Sequence, residues 1–200
     1  MRGLSDRHDA AAAAIDSANA ADPTIVSVRG ADSPLALVHG RLAAEWIATL
    51  VPDADETLLL AARAHHLRRW EVPRASYPDG RAGYLRWRKD QKARHARDVE
   101  ELLVGAGYGA ADVERVQALI RRDRLASDPG AQAVEDAACL VFIETQLGDI
   151  APRFDHAHLI DVIRKTARKM SPAGLAAASS LDLGPDERAL LAEALGPSPD

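Results

Sequence analysis

Two hundred residues with 47% hydrophobic and 28% charged side chains suffice for one domain with a sizeable core, which sets aside disordered and fibrous classes. The single cysteine, Cys139, rules out an internal disulfide. The chain carries a net charge of −5, yet Arg63–Arg97 holds 11 Lys and Arg against 3 Asp and Glu, so this stretch balances at +8 and the remainder at −13.

In chain order, helices are expected over about Asp9–Ala20, Pro34–Leu50, Ala54–Arg69, Arg81–Gly105, Ala110–Leu125, Pro129–Gly148, His156–Met170, Pro172–Leu181 and Pro185–Ala194. Alanine is abundant while Val, Ile, Phe and Tyr are sparse, which favours helix over sheet. Thr24–Ser33 is the one β-branched run and reads as a loop or short extended piece. Trp70–Gly80, with Pro73 and Pro78, reads as a loop. Ser33-Pro34, Asp128-Pro129, Ser171-Pro172 and Gly184-Pro185 each place a possible cap before a proline at the first helical position. Gly105 to Gly107, and Gly148, are expected to end the helices before them. The fold class is all-α, a single helical domain: residues 1–33 as an N-terminal helix and loop, 34–148 as the helical core, and 149–200 as helices packed upon it. No apolar run of about eighteen residues marks a membrane span. The first residues carry acids within their only apolar stretch, which argues against a secretory signal. With one cysteine, a reducing cytoplasm is the expected location, and the Ala/Arg/Asp-rich composition has a bacterial character.

At about 100° per residue, several polar side chains fall on apolar helix faces. His39 lies within the stripe of Leu35, Leu42, Trp46 and Leu50. His65 and His66 flank that of Leu58, Leu59 and Ala62. His95 sits among Tyr84, Trp87, Gln91, Val99 and Leu102. The segment VEDAACLVFIETQL is apolar nearly all round, so Asp136 is expected to be buried, which is costly unless the carboxylate is paired or metal-bound. A lone histidine on such a face is more commonly a hydrogen-bonded core residue than a ligand. Imidazoles and a carboxylate converging from four helices instead suit Mn, Fe, Zn, Ni or Co. Cys139 reads as a small buried residue. Asp155 reads as a helix cap, which sets aside the neighbouring His156 and His158.

The order of these residues resembles the HD-domain superfamily of all-α metal-dependent phosphohydrolases. AARAHHLRRWEVP is similar to the stretch around that superfamily's His-Asp pair, and VEDAACLVFIE to the stretch around its final aspartate. The resemblance implies an HD-like helical core with His39, His65, His66 and Asp136 as metal ligands, and His95 as a further one in the manner of the two-metal branch. The pair itself departs from the pattern, with His66 where aspartate is usual. At closer range, RRWE, YPDGRAGYLRWR and RKMSP resemble the bacterial and fungal family called domain of unknown function 4202, across nearly the whole chain.

The basic stretch supplies candidate phosphate ligands. Arg68, Arg69 and Arg74 follow the histidine pair directly, and Arg88, Lys89 and Lys92 make one ridge on the next helix. Arginine's planar fork suits phosphate, whereas a charge run is equally often a solvated face. The expected function is therefore a metal-dependent phosphohydrolase acting on a nucleotide or other phosphorylated small molecule, with Arg68, Arg69, Arg74, Arg88 and Lys92 on the substrate and Glu135 or Glu71 accepting a proton. Two other readings stand beside it. One is an iron oxygenase of the same superfamily. The other is a non-catalytic helical module that binds RNA or another anionic partner.

Overall fold

The structure, a computed structural model, describes residues 4–151 and 154–196, the Asp149 side chain excepted; the outermost expected bounds, residues 1–3 and 197–200, lie outside the described residues. Its elements are α1 (Asp6–Asn19), a hairpin of β1 (Ile25–Val28) and β2 (Ala31–Pro34), α2 (Leu35–Leu50), α3 (Glu56–Arg63), α4 (Gly80–Gly105), α5 (Ala110–Arg121), α6 (Pro129–Ile150), α7 (His156–Ala167), α8 (Pro172–Ser179) and α9 (Pro185–Leu195). The fold is all-α apart from that hairpin, and among the described residues no helix is long and apolar enough to cross a membrane.

The β-branched run pairs antiparallel with Val28 opposite Ala31. Its two-residue turn, Arg29-Gly30, has φ of 52° and 78°, matching the twist that tight hairpins require. The expected cap at Ser33 gives way to Asp22. Its carboxylate accepts from the Ala36 amide (3.0 Å), and Pro34 occupies the cap position without a side-chain bond. Asp128, Asp155 and Ser171 do cap α6, α7 and α8 through their own side chains.

Two helices end a full turn or more before the bound that periodicity suggests, while α7 and α8 fall two or three residues short. The third stops at Arg63 rather than Arg69. The Ala62 carbonyl, which a longer α-helix would offer to the His66 amide, is taken by the His65 amide (3.3 Å) and imidazole (2.7 Å). The chain then turns through Arg68 (φ 50°), whose amide donates to Asn19 at the end of α1 (3.0 Å). The fifth stops at Arg121 rather than Leu125, closed by left-handed Arg122 (φ 63°). By contrast, Gly148 does not end α6, which runs to Ile150.

Helix α6 joins two cores. Its first half packs with α1 to α5 around Ile15, Ile47, Leu60, Leu103, Leu119 and Ala137. From Cys139 onward it packs with α7, α8 and α9 around Leu140, Leu147, Ile163 and Leu191. The candidate functional side chains come from α2, α4, α6 and the segments that follow α3 and α5.

Candidate functional site

The turn after α3 positions the histidines. Gly40 allows α2 to lie against the end of α3, since a Cβ there would stand 2.5 Å from the Arg63 carbonyl oxygen. That close approach brings His39 to His66, with ring centroids 5.6 Å apart. His66 lies 3.9 Å from the ring of His65 and 6.2 Å from that of His95 on α4. Two helices, α2 and α4, and the turn after α3 thus bring four imidazoles into one cluster. His39, His65 and His95 are buried and His66 is half-buried.

Hydrogen bonding fixes where the lone pairs point. The Thr145 hydroxyl donates to the Val141 carbonyl (2.7 Å), so its oxygen accepts from His39 Nε2–H (3.0 Å). His39 Nδ1 is left unprotonated, 3.4 Å from His66 Nδ1. His65 Nδ1–H donates to Ala62, leaving Nε2 a bare lone pair with no partner among the described residues. Neither ring nitrogen of His95 has a partner of good hydrogen-bond geometry among the described residues, the Leu67 backbone being the one hydrogen-bonding group that bears on it. Buried polar atoms are seldom left in this way, and each costs about 1–3 kcal/mol when unmade.

Burial, reinforced by the Arg69 charge, pushes His39 down to about 4 and His95 to about 3. Burial likewise drives His65 and His66 well below the usual imidazole range, with Arg122 adding to the effect at His65 and the neighbouring His65 ring at His66. All four are neutral near pH 7, the form in which imidazole ligates metals.

A divalent transition metal fits this donor set in two respects. Two imidazole nitrogens sharing a tetrahedral ion with bonds of about 2.1 Å lie roughly 3.4 Å apart, the separation of His39 and His66. The backbone bond of His65 is also the kind of support that orients ligating histidines. Among the described residues no three His, Cys, Asp or Glu side chains are already disposed as a complete metal site. What the described residues do offer is one pair of imidazole nitrogens at ligand spacing, His39 and His66.

Asp136 is not brought to the histidines. Its carboxylate accepts from the Ser171 amide (2.8 Å), the Ser171 hydroxyl (2.6 Å) and Gln132 Nε2 (2.9 Å), and Gly174 packs so closely that a Cβ would lie 2.7 Å from its Cγ. Asp136 braces the N-terminus of α8. Its neighbour Glu135 faces the cations: Arg122 at 3.2 Å, Lys92 at 3.7 Å and Arg88 at 4.0 Å. Burial raises the Glu135 carboxyl, but these three charges outweigh it and hold the group below the usual range. Glu71 is half-exposed and paired with Arg94.

The arginines separate in the same way. Arg74 donates to the carbonyls of Tyr77 (2.9 Å) and Pro78 (2.8 Å), stapling its own loop. Arg68 contributes its backbone, accepting from Arg94 at 3.1 Å. Arg69 stacks 4.5 Å over Trp87, and burial brings its guanidinium down to about 10. Gln91 secures this segment through the carbonyls of Arg69 (3.0 Å) and Val72 (2.8 Å). Sequence reasoning did not single out Arg122 or Thr145. Arg122 lies beyond the basic stretch, in the LIRRDRL string, and Thr145 is marked only by its place one turn beyond Val141 on the buried helix.

Cys139 is buried, and burial raises its thiol to about 12, so it is an inert core residue. No curated protein and no solved structure matches the chain. The family described as Domain of unknown function (DUF4202) matches over residues 9–191, and the chain belongs to it.

Proposed function

We propose that this protein is a metal-dependent phosphohydrolase acting on a nucleotide or another phosphorylated small molecule. One observation carries the reading: a buried cluster of neutral imidazoles with unpartnered nitrogens lies beside half-buried arginines and a lysine. His39 and His66 would hold Mn, Fe, Zn, Ni or Co, with His65 and His95 joining them on a shift of their rings. When bound, such an ion supplies Lewis acidity and a nucleophilic water near neutral pH. Asp136 belongs outside the ligand set, because its carboxylate is already bonded to Ser171 and Gln132.

The chain's own contribution is to keep the imidazoles unprotonated and to balance phosphate charge. Arg69, whose charge acts on His39, His66 and His95, would meet an anion held at the histidines, with Arg88 and Lys92 further along at Glu135; stabilisation of growing negative charge by preplaced cations is a large part of phosphoryl transfer. Glu135, held in its ionised form by Arg122, acts as a counter-charge rather than as a proton acceptor.

Elemental analysis of protein purified without chelator, and after reconstitution with each candidate metal, tests the reading. About one equivalent of metal per chain is expected. His39→Ala and His66→Ala should lose it together with hydrolysis of a phosphorylated-substrate panel, whereas Asp136→Asn should retain it. A folded protein that takes up none of the five metals overturns the proposal.

A further inference from the structure

Three cations, Arg88, Lys92 and Arg122, gather near one buried carboxylate, Glu135, and the charge of Arg69 acts on its neighbour Arg88. Arg122 is fully committed. Its guanidinium donates to Glu135 and to the carbonyls of Ile120 (2.8 Å) and Val134 (3.3 Å). The other three are held less firmly. Lys92 and Arg88 stand 3.7 and 4.0 Å from Glu135, beyond ordinary hydrogen-bond reach, and keep side-chain exposures of 30% and 31%. Arg69, stacked on Trp87, has no carboxylate within 4.0 Å among the described residues.

Arg88 also lies 5.7 Å from the Tyr84 ring, which with Trp87 forms an aromatic backing to the cations on α4. Bringing like charges together in a partly desolvated place is unfavourable unless an anion relieves it. Burial draws Lys92 down to about 8, with the Arg122 charge assisting and Glu135 opposing. Nearby lie the unpartnered nitrogens of His65 and His95, both buried.

We infer that Arg69, Arg88 and Lys92 form an oxyanion subsite selective for a doubly charged phosphate monoester, with the Arg122–Glu135 pair as its fixed floor. This rests on the phosphohydrolase reading and narrows its substrate class to terminal phosphates. A diester, with a single negative charge and two blocked oxygens, leaves at least one of the three cations unmatched. A monoester dianion presents three oxygens to them and two charges.

Calorimetric titration of the chelator-treated protein at pH 7.5 with phenyl phosphate and with diphenyl phosphate tests this without any metal. The monoester should bind at least about tenfold more tightly. Arg88→Met and Lys92→Met should each weaken it about tenfold while circular dichroism and Tm stay near wild type, because both side chains are partly exposed. Glu135→Gln, which keeps a hydrogen-bond acceptor for Arg122 but removes the negative charge, should strengthen monoester binding. Absence of binding, equal affinity for the two esters, or weaker binding by the folded Glu135→Gln protein each overturns the inference. Metal uptake is measured separately. A chain that takes up metal but shows no ester preference removes the subsite alone, and one that prefers the monoester but takes up no metal removes the hydrolase reading alone.

Discussion

Glu135 and Asp136 are consecutive residues on α6, both buried and both acidic, yet their surroundings share nothing. Asp136 meets neutral donors alone, a serine amide and hydroxyl and a glutamine amide, and its surroundings are closed by Gly174. Glu135 meets cations alone, three of them within 4.0 Å of a single negative charge. A buried carboxylate surrounded by neutral donors is a structural brace. A buried carboxylate outnumbered by positive charge is what the proposed anion subsite would need. The helix turns the two side chains about 100° apart, sufficient to put one in the α8 junction and the other at the cation cluster.

The largest expected effect comes from breaking the cationic side. Glu135→Ala leaves Arg122, whose side chain is only 5% exposed, without its counter-charge, and should lower unfolding stability by about 3–5 kcal/mol. Urea denaturation measures this, and a loss below about 1 kcal/mol would mean that the Ile120 and Val134 carbonyls suffice for Arg122. Asp136→Ala is next. It strips three donors of their acceptor and should cost about 2–3 kcal/mol, with metal content and monoester affinity unchanged. Reduced metal content in a folded Asp136→Ala protein would move this residue from brace to ligand.

A third acid on the same helix calibrates both. Asp128 caps α6 and is paired with Arg115, so its replacement by alanine should cost about 1 kcal/mol. The Arg115 hydrogen bond holds its carboxyl down to about 2, against an ordinary 3.8. With the folded value depressed, the associated stability is present above about pH 3.8 and is lost as pH falls towards about 2. Acid titration followed by circular dichroism should therefore show a shallower decline in this window for Asp128→Ala than for wild type. Equal slopes would assign the acid sensitivity to other carboxylates.

Much of the architecture was legible without coordinates because it is written locally. Capping aspartates before α6 and α7, prolines at first helical positions and alanine-rich apolar faces act within a turn or two of themselves. The inward direction of His39 and His95, and the burial of Asp136, followed from helical spacing for the same reason. The early end of α3 was hidden, because it arises when the His65 imidazole competes for a backbone carbonyl that periodicity assigns to the helix.

Helical phase alone determines which side chains face inward, since it depends on φ and ψ along one element. Only the packing of α2 on α3 at Gly40, and the left-handed closures at Arg68 and Arg122, decided which inward groups meet. Those choices put four imidazoles together, left Asp136 with Ser171, and set Arg122 against Glu135. Distances between helices are set by contacts remote in the chain, which a local pattern does not encode.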